Sequence, residues 1–328
     1  GLQMAAISVR GRQREGDLVA FLEAFGGTNR YILDYLTEEV LNQQPPAIQD
    51  FLIETSILSR MCAGLCDAVR SQGDALDSQA ILAQLERSNL FLTPLDDERR
   101  WYRYHHLFAD LVNSTLKQHR SAEQIHELHR RASRWHQAEG SLEEAMIHTM
   151  AAQDFERAAQ MIEENIARML SRSEAPVLLG WIEKLDGSVV RGRPWIDVYR
   201  ANTLVLSGRL EELDSLLEDV ESRIEPGAPR ASELLGHVSA IRAYAANLRG
   251  QKSRAIEMAA LTRRTLREEH LHARGMAAFA LADTCFAMDD MDGASQGSSE
   301  MLRFGKKTGR LLLAVPALCD LAATSKAR

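Results

Sequence analysis

The 328 residues carry 39 lysines and arginines against 46 aspartates and glutamates, a formal net charge of −7. That acidic balance excludes a chain built throughout to attract phosphate backbones, and no apolar run approaches the roughly 18 residues that a transmembrane helix needs. Length alone suggests two or three domains, and four scattered cysteines (Cys62, Cys66, Cys285 and Cys319) fit reduced thiols in a cytoplasmic protein better than a disulfide framework.

Gly1-Leu2-Gln3-Met4 has no basic segment and no cleavage site, so no signal peptide is visible. Residues 2–9 read as the tail of a helix with no cap before it, and residues 17–25 as another, stopped by Gly26-Gly27. Thr28 can cap a long helix through Gln43, which Pro45-Pro46 end while starting the next, 46–55. Met61 to Val69 form a short helix, and Ser78 caps a helix carrying Ile81, Leu82 and Leu85. The chain's one clear β signal follows. Leu90, Phe91 and Leu92 make an apolar strand, Asp96-Asp97-Glu98-Arg99 a polar turn, and Arg100 to Tyr104 an aromatic return strand.

Two helices and a hairpin in this order outline a winged helix. Its tip is acidic and its second helix balances Glu86 with Arg87, so direct contact with nucleic acid is not expected. The return strand delivers His105 and His106 to the start of a further helix, and Arg103 alternates with Tyr102 and Tyr104 and so faces away from them.

From Ser121 onward the pattern is all helical. Gly140, Gly208, Gly250 and Asp289 each precede a small or apolar residue by five: Ala145, Leu213, Ala255 and Ala294. These turns stand 68, 42 and 39 residues apart, so the later pairs suit helix-hairpin repeats somewhat longer than the tetratricopeptide period of about 34. The wide first gap has room for an extra helix pair, including 175–185, and Pro194 after the Gly187–Gly192 stretch suggests a joint near residue 190. Such repeats bury their apolar faces only by stacking into a superhelix. Trp135, Trp181, Trp195 and Tyr244 are expected as repeat core. Trp195, Tyr199 and Tyr244 are also candidates for lining a ligand or partner groove.

Several segments resemble the MalT-like, ATP-dependent regulators of the LuxR class, which are STAND-type signalling ATPases. They are Phe51 to Leu58, Leu85 to Leu95, Trp101 to Phe108, Leu128 to Ala132 with Trp135, and Asp154 to Ala159. The resemblance is specific over 1–200; over 200–328 only the helical-repeat style matches. It implies a mainly α chain: a helical lid region over 1–58, a winged helix with one β-hairpin over 59–120, a helical arm over 121–190 and tetratricopeptide-like sensor repeats over 191–328. Both ends then read as cuts through a longer protein.

By the same resemblance the parent has an N-terminal P-loop module that binds ATP or ADP and a C-terminal helix-turn-helix that binds DNA. Both are partners of this region, together with an inducer or protein on the repeats and a second copy on activation. This chain has no G-x-x-x-x-G-K-[ST] and no evident DNA-binding helix pair, so no cofactor and no catalysis are expected of it alone. Tyr104-His105-His106-Leu107 resembles the motif whose histidine contacts the β-phosphate of ADP in the resting state. That implies a phosphate role for His105 or His106, whichever faces the nucleotide, with Arg103 beside them.

Other chemistry is not expected. Cys62 and Cys66 lack a matching ligand pair, and His126 and His129 lack a third ligand and read as exposed helix residues, so no metal site is placed. No G-x-S-x-G or paired nucleophile and base is present. A stand-alone helical-repeat adaptor for a protein partner is the alternative function.

Overall fold

The computed structural model describes residues 36–70, 77–88, 91–172, 174–225, 227, 230–308, 317–319 and 321–322. The helices expected over 2–9 and 17–25, the Thr28 cap and strand residue Leu90 lie outside them. The chain divides into two compact units, Gly1–Asp154 and Phe155–Arg328. The division falls inside the segment 121–190 expected as an arm.

In the first unit a short π-helical stretch, Leu36–Leu41, precedes α1 (Pro46–Thr55), α2 (Ala63–Val69) and α3 (Ser78–Arg87). Strands β1 (Leu92–Pro94) and β2 (Tyr102–Tyr104) follow, then α4 (His106–His119), α5 (Ala122–Ala138) and α6 (Leu142–Ala151). Pro46 sits in the first turn of α1, where its missing N–H costs nothing. The cap of α3 is Asp77, not Ser78: the Asp77 carboxylate accepts from the Gln79 amide at 2.9 Å, and Ser78 is the first helical residue. Helix α2 starts two residues later than expected because Met61 is extended and exchanges two backbone hydrogen bonds of 2.8 Å with Tyr102. Met61 thus forms a single β-bridge beside the two-stranded hairpin.

The strands pair antiparallel with Leu92 opposite Tyr104 and Pro94 opposite Tyr102. They are shorter than expected. Phe91 takes a φ of +53°, outside the strand region, and the Asp96 carboxylate accepts the Arg100 and Trp101 amides and pulls them into the turn. Tyr102 and Tyr104 are buried and Arg103 is exposed, the alternation the sequence predicts.

Phe51, Leu52, Met61, Leu65, Leu82, Leu85, Tyr102, Phe108 and Leu116 form one fully enclosed core. The Tyr104 hydroxyl meets the Thr55 hydroxyl at 2.7 Å inside it, and Thr55 in turn donates to the Phe51 carbonyl, so α1 and β2 are keyed together. Helix α5 starts with a full capping box, Ser121 and Gln124 each accepting the other's backbone amide. Its Arg131 donates to the carbonyls of Val69 and Arg70 at the end of α2, and Trp135 packs edge-on against Trp101. Trp135 therefore serves the winged-helix core, not a repeat core.

The second unit runs α7 (Phe155–Ser171), α8 (Ala175–Ile182), α9 (Gly187–Arg191), α10 (Pro194–Leu206), α11 (Leu213–Ser222), α12 (Ala231–Leu248), α13 (Lys252–Thr265), α14 (Leu271–Phe286) and α15 (Met291–Thr308). Among the described residues it contains no strand. Helices α12 to α15 pack each against the next, with α14 against α12, α13 and α15.

All four marker turns have one geometry. Gly140, Gly208, Gly250 and Asp289 stand at φ between +59° and +73°, the left-handed region favoured at helix ends. The next residue's amide reaches back five positions in each: Ser141 to His136, Arg209 to Leu204, Gln251 to Ala246 and Asp290 to Cys285. Ala145, Leu213, Ala255 and Ala294, five residues after the marker, are fully buried. A fifth turn of this kind, at Gln153 (φ +55°, with the Asp154 amide on the Thr149 carbonyl), is not visible from glycine spacing. Among the described residues no helix is long and apolar enough to cross a membrane, and all four cysteines are free thiols.

Candidate functional site

Three clusters hold the chemistry-bearing side chains among the described residues, two in the first unit and one in the second. In the first, β2 ends at Tyr104 and α4 begins at His106, so His105 is the residue that caps α4. Its backbone amide bonds the Phe91 carbonyl at 2.7 Å and its carbonyl accepts from Ala109, which locks the turn. The imidazole stands edge-on to Phe91 and tilted against the His106 ring, with centroids 6.5 and 4.3 Å apart. Its Nδ1 is buried without a hydrogen-bond partner. Burial, then the neighbouring His106, hold its pKa below the usual histidine value. His106 is exposed.

No side chain caps α4 and no acidic residue stands in its first turn, so its amides and positive dipole end are not neutralised locally. Arg103 is exposed one position before Tyr104, whereas Arg99 pairs with Glu86 at 3.3 Å and Arg100 with Glu98 at 2.7 Å. The junction thus gathers His105, His106 and Arg103 around an open helix start.

A second histidine group lies on α5 and α6. His129 and His148 meet Nδ1 to Nδ1 at 2.9 Å, and His148 stacks on His136. His129 is half-buried here, not the exposed residue expected, because Ala132 and Leu128 on the same face draw the helix inward. Burial drops the pKa of His129 to about 4 and of His148 to about 3, with the neighbouring rings adding to it, and lowers that of His136. These rings are neutral in the fold while the unfolded chain takes up protons near its ordinary value of 6.5. Stability is therefore complete above that value and falls as pH drops below it toward the folded values, by up to about 1.4 kcal/mol per pH unit for each histidine. The urea midpoint of this unit should fall between pH 7 and pH 5, and His148→Gln should flatten that fall. Equal slopes for both proteins would contradict the assignment.

In the second unit Trp195 and Tyr199, one turn apart on α10, lie with ring centroids 5.7 Å apart. Burial pushes the Tyr199 hydroxyl up to about 12. Tyr244 is not with them: it packs against Phe279 at 5.5 Å, so the three expected groove residues form two separate aromatic contacts. Beside Trp195 stand residues that aromatic spacing did not reveal. Arg230 covers the Trp195 ring at 4.5 Å and His237 meets its edge at 5.1 Å. Arg230 also donates twice to the Glu233 carboxylate, and His270 lies 3.3 Å from His237 and 3.4 Å from Glu233. Glu233 and His237 share a face of α12 at i, i+4, a signal present in the sequence; His270 comes from the turn before α14 and has no such signal.

Residues 37–125 match the family model of the MalT winged helix domain. The match starts ahead of the boundary expected at residue 59 and takes in α1. The serine/threonine-protein kinase PknK of Mycobacterium tuberculosis is 29% identical over 287 residues, 74% of this chain and 25% of the kinase. The HTH-type transcriptional regulator MalT of Vibrio parahaemolyticus is 28% identical over 263 residues, 79% of this chain and 28% of the regulator. MalT of Klebsiella pneumoniae is 29% identical over 246 residues, 75% of this chain and 26% of the regulator. The chain thus spans about a quarter of the length of these curated relatives.

In fold it is similar to the STAND protein with a tetratricopeptide repeat sensor from Pyrococcus horikoshii. The TM-score is 0.54 at 13% identity, covering 98% of this chain and 56% of that one. A winged helix keyed by Tyr104 and Thr55 agrees with the match of residues 37–125 to the MalT winged helix domain, and the helical array that follows, with its repeated left-handed turns, is similar in fold to the Pyrococcus horikoshii protein.

Proposed function

We propose that this chain is the regulatory and effector-sensing region of a cytoplasmic, ATP-dependent transcriptional activator, and that it is not itself an enzyme. In this reading the winged helix docks on the parent's nucleotide-binding module and holds ADP in the resting state. An effector on the repeats shifts the population toward an ATP-bound, self-associating form whose C-terminal domain binds DNA. The observation that carries the reading is the His105 junction: an imidazole nitrogen with no partner, at the start of a helix whose positive end has no local counter-charge. A phosphate there would gain the helix amides and one imidazole donor. The similarity to the two MalT proteins supports the regulator class. Trp195 and Tyr199, with Arg230 above the indole, are the proposed effector-facing aromatics.

The test uses the full-length protein. His105→Ala should lower ADP retention at least tenfold and raise basal transcription, with His106→Ala changing both much less. Retention and basal activity left unchanged by His105→Ala would refute the phosphate role. Arg103→Ala, on an exposed strand position, should weaken nucleotide retention without altering the melting temperature.

A further inference from the structure

The side chains of Glu233, His237 and His270 each offer one donor atom, and these atoms all lie within 4.8 Å of one another. Glu233 and His237 come from adjacent turns of α12, which fixes their spacing rigidly. His270 comes from the connection between α13 and α14, so two separate chain segments close on one point. We infer that Glu233, His237 and His270 form a binding site for a divalent zinc ion, with a fourth coordination position open to solvent or to an exogenous ligand.

The donor set is right for such an ion. Two borderline imidazoles and one hard carboxylate are a donor set that zinc takes, leaving it one position short of a tetrahedron. Zinc–nitrogen bonds of about 2.0–2.1 Å put neighbouring donors of a tetrahedron about 3.4 Å apart. His237 Nε2 and His270 Nδ1 are 3.3 Å apart, and His270 Nε2 and Glu233 Oε1 are 3.4 Å apart. The His270 ring now stands between the other two, one nitrogen toward each. Its side chain is about one-fifth exposed, at 18%, so the ring can turn to give one nitrogen to the ion.

The charge states also suit the role. Burial, then His270, bring the His237 pKa down to about 4, so its lone pair is free for a metal at neutral pH. Glu233 is held below its usual value first by the Arg230 hydrogen bond and is a carboxylate.

Arg230 is the strongest objection, because a guanidinium repels a cation. Arg230 holds both oxygens of Glu233, Nε on Oε2 at 2.6 Å and NH2 on Oε1 at 3.0 Å, and Oε1 also faces His270 at 3.4 Å. A metal that takes Oε1 displaces the longer NH2 bond and keeps the shorter Nε–Oε2 bond, so Arg230 becomes the outer partner that orients a ligating carboxylate. The guanidinium also stands over the Trp195 face at 4.5 Å. His237 is likewise oriented by the Trp195 edge. None of this depends on the regulator reading.

Chelator-stripped full-length chain is titrated with Zn2+ by calorimetry and with Co2+ by absorption. One equivalent should bind, with the d–d absorption of a low-coordinate cobalt site. His270→Ala should weaken binding at least a hundredfold and Glu233→Gln at least tenfold. His270 is the N-cap residue of α14, and circular dichroism should show that His270→Ala and Glu233→Gln both keep the fold, so that lost binding reports the site. His129→Ala removes the other imidazole group and should leave binding intact. No stoichiometric binding, or binding that survives His270→Ala and Glu233→Gln, or that is lost in His129→Ala, would overturn the assignment.

Discussion

Gly297→Ala should destabilise the second unit by about 2–3 kcal/mol, although alanine is the better helix former by about 1 kcal/mol. The reason is the approach of α15 to α14. A Cβ at Gly297 would stand 2.6 Å from the Ala282 backbone nitrogen and 2.9 Å from the Ala278 carbonyl oxygen and the Ala282 Cα. Those neighbours are backbone, so no side-chain rotation relieves the clash, and the two helices must separate. Separation then loosens Ala278, Ala282 and Met301, all buried along this pair.

Gly180 provides the opposite case on α8. Nothing lies within 4 Å of a Cβ there, so Gly180→Ala should stabilise by about 0.5–1 kcal/mol. Thermal unfolding of the second-unit transition measures both. A domain of this size shifts by about 2–4 °C per kcal/mol, so Gly297→Ala should lower the midpoint by about 5–10 °C. A midpoint raised by both substitutions would mean that the α14–α15 approach is not as close as described.

The part of the molecule legible from sequence is the part written in local signals. Alternation of Tyr102, Arg103 and Tyr104 predicts two buried rings around one exposed cation, and that is the arrangement found. The glycine and aspartate turns with a small residue five positions on predict close helix pairs, because a left-handed residue ends one helix and a buried alanine or leucine seats the next. Less visible were features that need two distant segments. Asp77 outcompetes Ser78 as a cap through backbone geometry that a one-residue difference in sequence does not disclose. Met61 pairs with Tyr102 only because the hairpin folds back on it.

The same limit governed the sites. Trp195 and Tyr199 are one helical turn apart and come together, while Tyr244 lies two turns beyond His237 on α12 and finds a different neighbour. His270 reaches His237 across a helix hairpin, and His148 reaches His129 across another. Histidines scattered along a helical array look inert until the stacking places them. Spacing on one helix identifies half of such a cluster, and superhelix geometry supplies the rest.

Glu300→Leu should cost the second unit about 3–5 kcal/mol. Glu300 and Arg274 form a buried ion pair between α15 and α14, each residue 8% exposed. Arg274 Nε donates to Glu300 Oε1 at 3.0 Å, and its NH1 donates to the Leu266 carbonyl at 2.9 Å at the end of α13, so one guanidinium ties three helices. Arg263 at 3.4 Å and Arg303 at 3.8 Å face the same carboxylate. Removing Glu300 therefore leaves the buried Arg274 guanidinium beside Phe304 without its counter-charge, held in place by its bond to the Leu266 carbonyl, while the more exposed Arg263 and Arg303 can turn to solvent or to Glu268.

Removing Arg274 instead should cost less, because Arg263 and Arg303 still neutralise the carboxylate. The double replacement Arg274→Met with Glu300→Leu should recover part of the loss, since an apolar pair fills the space without desolvating charge. A double-mutant cycle on urea unfolding measures the coupling. Additive losses would show that the pair is not the tie between α14 and α15. Strong coupling, with Glu300→Leu the worse single change, would show that this carboxylate organises the last three described helices.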